Sequence, residues 1–266
     1  SSNVINILFL DEISAAPQSV QSAAYQITLD RTVGEHKLPD NCIVIAAGNR
    51  VSDKSVAYKM PKALANRLMH FDISTSFESW KKWALHNNIH PLIIGFLASK
   101  PELLNTFDAS KENLAFATPR SWEMVSNVLN YINDDINESY SLIAGLIGSG
   151  IAYELKAWDT VYRKLPNVED IFKGRVSIVP KNASEIYSLC GLMINYLKRH
   201  KNDYQGVVNS IVYATKFPKE FSLLLMEEYL GVDPTYKTKL LAIPEFSRWL
   251  NLNGSMLNGK EHGIFK

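Results

Sequence analysis

Three polar residues that follow two short apolar runs form the part of the sequence best suited to chemistry. Asp11 and Glu12 come directly after the run from Val4 to Leu10, and Asn49 follows the run from Cys42 to Ala47. A carboxylate there suits the hydration shell of a phosphate-bound Mg²⁺, and a second one beside it can orient or deprotonate an attacking water. An amide can fix that water or sense the terminal phosphate. The pattern predicts phosphoryl-transfer chemistry.

Each of these residues also has a simpler explanation. Asp11 taken alone can cap the turn that follows it, and Asn49 taken alone can form a turn. Their joint occurrence favours a site, because ligands bind outside the carboxyl ends of the strands in open α/β sheets. If the two strands are parallel neighbours, Asp11, Glu12 and Asn49 share one edge of the sheet.

The elements around these residues predict an α/β segment. Both apolar runs are too short for typical helices and suit strands that are covered on both faces of a parallel sheet. Between them, Pro17 to Leu29 has helical spacing, and Gly34 can supply the positive φ of a hairpin turn. A short helix opened by Pro61 leads to a third predicted strand, Leu68 to Ile73.

Helical periodicity prevails from Phe77 onward, so the predicted fold class is α/β followed by all-α. We place residues 1–75 in a partial α/β core, residues 76–166 in a first helical domain and residues 167–266 in a second. The most apolar stretch, Leu142 to Tyr153, is shorter than the roughly 18 residues that span a bilayer. We predict a buried helix there.

Composition limits the classes of partner. The 266 residues are 46% hydrophobic and 21% charged, as in soluble globular proteins, and the net charge of +1 provides no field for gathering nucleic acid or anionic membrane. The basic cluster from Lys198 to Lys201 is explained by solvation and a helix dipole. Cys42 and Cys190 have no second ligand nearby in sequence, which favours reduced thiols and a cytoplasmic location over zinc or a disulfide.

Four segments resemble the motifs of AAA+ ATPases and occur in the order of that superfamily. Ile7 to Glu12 (ILFLDE) resembles a Walker B motif, and Ile45 to Asn49 (IAAGN) resembles the sensor 1 strand. Met60 to Leu68 (MPKALANRL) looks like the arginine-finger helix, and Ala117 to Trp122 (ATPRSW) looks like sensor 2. Together with Gln26 to Leu38, they are most similar to the MoxR-like branch.

The resemblance, which covers roughly residues 4 to 165, implies a role for each motif. Asp11 would hold Mg²⁺ through water, Glu12 would activate the attacking water, and Asn49 would fix that water. Arg67 would act as the arginine finger across a subunit boundary, and Arg120 would contact the nucleotide from a helical lid, residues 76–166.

At the level of the whole protein, the resemblance implies ATP and Mg²⁺ as cofactors and a ring that is a homo-hexamer. ATP hydrolysis would drive chaperone-like remodelling of partner proteins, often beside a protein with a von Willebrand factor A domain. The rival hypothesis from another class is a non-catalytic helical protein-interaction module.

The two arginines have physical roles of their own. Arg67 is a permanently charged planar donor that can stabilise phosphate charge during transfer, an effect of about a thousandfold or more. The simpler alternative is a surface arginine that complements a helix dipole, and Arg31 and Arg50 are rival fingers. Thr118 is the predicted N-cap, so the Arg120 cation lies at the start of the helix, against the helix dipole. Such a placement is unfavourable unless an anion is nearby.

One expected motif is missing, because the chain contains no complete Gly-x-x-x-x-Gly-Lys-Ser/Thr. Gly254 to Lys260 has the glycine and lysine spacing, but Glu261 replaces the hydroxyl that binds magnesium, and we interpret the match as chance. The amino terminus lacks the pattern of a secretory signal, and we expect it to be a cut end with the phosphate-binding loop upstream. The chain by itself is expected to be inactive.

Overall fold

The computed structural model describes residues 4–49, 58, 60–132, 135–233 and 235–257, without the side chains of residues 237–239 and 253–257. The chain separates into two compact units. The sheet unit comprises residues 1–74 and 108–112, and the helical unit comprises residues 75–107 and 113–266. The division next to Ser74 coincides with the change from strand to helix pattern in the sequence.

The sheet unit is built on two parallel strands joined by a helix and a hairpin. Its elements are β1 Asn6–Leu10, α1 Gln18–Leu29, β2 Thr32–Val33, β3 His36–Lys37, β4 Cys42–Ala46 and α2 Lys62–Ala65. β1 pairs with β4 in parallel, with Asn6 opposite Cys42 and Leu10 opposite Ala46. β2 and β3 form the predicted hairpin, and Gly34 has the expected positive φ of 58°.

One face of the two-stranded sheet is apolar and exposed. Side chains alternate along a strand, so residues opposite each other in a parallel pair share a face. Ile7 and Phe9 are 62% and 55% exposed, and Leu8 and Leu10 on the other face are half-buried. The exposed face, called the open face below, consists of Ile5, Ile7, Phe9, Ile43 and Ile45.

The third predicted strand, Leu68 to Ile73, is wrong. This segment forms no strand and pairs with none of the described strands. Its alternating apolar side chains, Met69, Phe71 and Ile73, are all strongly exposed, with Ile73 at 91%. A strand needs a neighbouring strand that shares its backbone hydrogen bonds as well as alternating apolar side chains. Among the described residues, no strand pairs with this segment.

The helical unit contains the described helices that follow residue 76, and its described residues form no strand. They are α3 Phe77–His86, α4 Pro91–Ser99, α5 Pro119–Tyr131, α6 Ile136–Ile147, α7 Ser149–Tyr162, α8 Val168–Phe172, α9 Ala183–Arg199, α10 Tyr204–Ala214, α11 Lys219–Val232, α12 Tyr236–Leu241 and α13 Pro244–Leu257. The largely helical character predicted for this region is confirmed.

The core of the helical unit is centred on α4, whose residues from Pro91 to Leu97 are all buried. α4 packs closely on α9, since a Cβ placed on Gly95 would lie 1.8 Å from the Ser188 hydroxyl oxygen. Helices from residues 76–166 and from residues 167–266 therefore contribute to one buried core.

The single buried helix predicted over Leu142 to Tyr153 is also wrong. α6 ends at Ile147 and α7 begins at Ser149, because Gly148 between them has a φ of 88° that no helix continues through. Leu142 is 61% exposed. Within the described part of the chain, every helix falls short of the length and apolar character needed to cross a membrane.

Candidate functional site

The ends of β1 and β4 are tied together by the backbone. Beyond the paired strands, the Ala47 N–H donates to the Leu10 carbonyl at 3.0 Å, and the Ile13 N–H donates to the Ala47 carbonyl at 2.9 Å. Both bonds lie where the two strands finish. Asp11, Glu12 and Asn49 therefore share one edge of the sheet, as the parallel arrangement predicts.

Glu12 and Asn49 contact each other at this edge. The Asn49 side-chain amide donates to Glu12 Oε2 at 3.2 Å. Glu12 has φ 53° and ψ 33°, a left-handed conformation that is uncommon for a residue with a side chain and is enriched at functional sites. The Asp11 carboxylate accepts the Glu12 N–H at 3.0 Å, so Asp11 does form part of the turn. Local capping and a shared polar edge are both present.

Ser14 holds Asn49 in place, and the sequence did not single it out. The buried Ser14 hydroxyl accepts the Asn49 backbone N–H at 2.9 Å. Gly48 lies against the same side chain, where an added Cβ would be 2.6 Å from the hydroxyl oxygen. The sequence shows Gly48 as part of the polar break after an apolar run, but it does not indicate Ser14, which lies 34 residues earlier.

The carboxylates at this edge could bind magnesium only together with water and substrate phosphates. No group of three or more His, Cys, Asp or Glu side chains that could hold a metal occurs among the described residues. Mg²⁺ keeps several waters and commonly binds through one or two carboxylates together with substrate phosphates. The exposed Asp11 carboxylate fits that mode, with one of its oxygens engaged by the Glu12 N–H.

Arg67 lies just beyond the short α2 and contacts α1. Its Nη1 donates to the Tyr25 hydroxyl at 2.8 Å and to the Ala63 carbonyl at 2.6 Å, and its guanidinium carbon lies 4.3 Å from the centre of the Tyr25 ring. These partners do not include Glu12 or Asn49. The structure thus adds Tyr25, which the sequence did not indicate.

Of the two rival arginines, Arg31 has backbone partners in the sheet unit. Arg31 has a positive φ of 55°, and its Nη2 donates to the carbonyls of Pro39 and Cys42 at 2.9 and 2.6 Å. These bonds hold the start of β4 and give Arg31 a structural task. Arg50 lies outside the described residues.

Arg120 belongs to the helical unit, whereas the other four predicted site residues belong to the sheet unit. It is exposed in the first turn of α5, where Thr118 is the N-cap and Pro119 the first helical residue, as predicted. The Thr118 hydroxyl accepts the Ser121 N–H at 3.1 Å and the Ser121 hydroxyl accepts the Thr118 N–H at 2.8 Å. The cation lies at the positive end of the helix dipole.

The basic cluster at the end of α9 has structural partners. Lys198 Nζ donates to the His86 carbonyl at 3.2 Å and to the Asn88 side-chain oxygen at 2.8 Å, beyond the end of α3. His200 stacks on Tyr196 with ring centres 4.0 Å apart. These contacts give Lys198 and His200 structural roles within the helical unit.

The near match to a phosphate-binding loop does not have the required structure in its described part. Gly254 lies within α13, which extends to Leu257, and residues 258–266 are outside the described part of the chain. A phosphate-binding loop would instead precede a helix.

Comparison of the chain with protein-family models, with curated proteins and with solved structures gave no match.

Proposed function

We propose that this chain belongs to a MoxR-like AAA+ ATPase that hydrolyses ATP to remodel partner proteins. The observation that carries the proposal is the contact between Glu12 Oε2 and the Asn49 amide, 3.2 Å apart where two parallel strands end. A carboxylate held by an amide at this edge is suited to activating water. The order of the four motifs along the chain supports the same conclusion.

Each residue of the edge has one task in this proposal. Glu12 accepts a proton from the water that attacks the terminal phosphorus, and Asn49 holds the Glu12 carboxylate and that water in register. The bond from phosphorus to the bridging oxygen breaks, giving ADP and phosphate. Asp11 would hold Mg²⁺ through water, and the ion would neutralise charge on the phosphates of bound ATP.

Assembly completes the proposed site. Arg67 supplies its guanidinium to the phosphate of the neighbouring subunit in a homo-hexameric ring, and Arg120 contacts the nucleotide of its own subunit. Partners are proteins to be remodelled, together with a protein that carries a von Willebrand factor A domain, and the location is cytoplasmic.

ATP turnover by the intact protein tests the proposal. Replacing Glu12 by Gln keeps the shape and the contact with Asn49 but removes the base, so we expect turnover to fall by at least about a hundredfold. The matched control is Glu35→Gln, which changes an exposed carboxylate in the hairpin turn of the same unit and should leave turnover unchanged. An intact protein without ATP turnover, or a Glu12→Gln variant as active as the wild type, would contradict the proposal.

A second candidate, a non-catalytic protein-interaction module, is favoured by one observation. The helical unit has a continuous core of its own, including the fully buried Trp122, Phe96 and Tyr229. Such a unit can present a binding surface without any nucleotide. Absence of turnover in the intact protein would favour this candidate over the ATPase.

A further inference from the structure

The Tyr25–Arg67 contact joins two segments that are far apart in sequence. Arg67 is exposed and follows a helix of only four residues, and an arginine side chain without partners there would sample many rotamers. Tyr25 fixes it in two ways at once, through the 2.8 Å hydrogen bond from Nη1 and through the ring 4.3 Å below the guanidinium carbon. Together with the 2.6 Å bond from Nη1 to the Ala63 carbonyl, these contacts hold the guanidinium in one orientation.

The position of Tyr25 is in turn fixed relative to the acid pair. α1 starts five residues after Ile13, whose N–H is bound to the Ala47 carbonyl at the end of β4. Near the start of α1, the buried Gln21 donates to the Ala16 carbonyl at 3.0 Å. Tyr25 lies one turn further along the helix. A short hydrogen-bonded stretch of chain thus connects the strand ends to the Tyr25 ring that contacts Arg67.

We infer that Tyr25 is a positioning residue that holds Arg67 for use by the neighbouring subunit. This inference rests on the proposed function and adds a component to it: the arginine that one subunit gives to the next is oriented by the helix that follows its own Glu12. Tyr25 touches Arg67 and acts only through it.

The variant Tyr25→Phe removes the hydroxyl and keeps the ring. Because the variant loses a hydrogen bond to a charged group, we expect kcat to fall by about tenfold. KM for ATP should stay unchanged, because Arg67 acts on charge that develops during phosphoryl transfer. Tyr153→Phe, which changes an exposed tyrosine on α7, is the matched control and should leave kcat unchanged.

Mixing subunits of the intact protein separates positioning from a general loss of structure. Tyr25→Phe subunits retain Glu12, and Glu12→Gln subunits retain an Arg67 held by Tyr25. At an interface where a Tyr25→Phe subunit supplies Glu12 and a Glu12→Gln subunit supplies Arg67, the base is intact and the arginine is held by Tyr25. We therefore expect turnover of the mixture to exceed the composition-weighted mean of the two separate variants, as it should for an Arg67→Ala and Glu12→Gln mixture.

The outcomes distinguish the inference from the proposed function. Turnover at the weighted mean for the Tyr25→Phe mixture, with a gain for the Arg67→Ala mixture, would overturn the role of Tyr25 and leave the ATPase standing. A Tyr25→Phe protein with wild-type kcat would do the same. An inactive wild-type protein would overturn both.

Discussion

The sheet unit and the helical unit differ in how their structure is maintained. In the helical unit, α4 is buried along most of its length by the helices that pack against it. In the sheet unit, the open face is exposed, although parallel sheets are ordinarily covered on both faces. Four of the five predicted site residues lie on the sheet unit, where a few backbone hydrogen bonds at the strand ends set the geometry of the acid pair. Substitutions should therefore affect stability mainly in one unit and function mainly in the other.

The largest effect on stability is expected for Trp122→Ala in the helical unit. Trp122 is fully buried, lies 5.7 Å from the Phe96 ring and donates its indole N–H to the Leu103 carbonyl at 3.0 Å. Its loss leaves a cavity and an unpaired carbonyl, so the free energy of unfolding should fall by about 3–5 kcal/mol in urea titrations. Ile7→Ala on the open face should change it by no more than about 0.5 kcal/mol. Equal losses at the two positions would remove the contrast between the units.

A smaller effect, confined to the sheet unit, is expected for Gly48→Ala. The new methyl group would lie 2.6 Å from the Ser14 hydroxyl oxygen, so the loop that carries Asn49 must move, at a cost of about 1–3 kcal/mol. Asn49 should then lose its contact with Glu12. The NMR signals of the Asn49 side-chain amide report this loss directly, and unchanged signals would show that the loop tolerates the methyl group.

How much of this arrangement the sequence predicts depends on the range of the interactions. The strand identity of β1 and β4, α1, the hairpin and the α5 N-cap depend on local patterns, and all were predicted. The false strand at Leu68 to Ile73 and the contacts of Ser14 and Tyr25 depend on partners distant in sequence. Periodicity carries no information about such partners, so these features required the structure.

The next effect depends on pH and concerns Glu228 on α11. Burial raises the pKa of this carboxyl above its ordinary value of 4.5, against the opposing charges of His86 and Lys198. The folded protein therefore keeps a proton that the unfolded chain has lost, and stability falls as pH rises from about 4.5 to the raised folded value. Urea unfolding between about pH 4 and pH 8 should show this fall in the wild type and not in Glu228→Gln. Exposed Glu123→Gln on α5 is the control and should keep the wild-type slope; an identical slope in Glu228→Gln would contradict the assignment.

The smallest effect is a gain in stability from Gly145→Ala. Gly145 lies in α6 with open space around the position of an added Cβ, in contrast to Gly48. Alanine is the better helix former by about 1 kcal/mol, so the melting temperature should rise slightly. A fall on thermal melting would mean that α6 depends on glycine for a reason other than space.

Activation of water by Glu12 in ATP hydrolysis is tested by the nucleotide that the intact Glu12→Gln protein retains after incubation with ATP. We expect this variant to bind ATP and keep it unhydrolysed, while the wild type yields ADP, because binding does not require the base. Conversion of bound ATP to ADP by Glu12→Gln at the wild-type rate would contradict this role of Glu12.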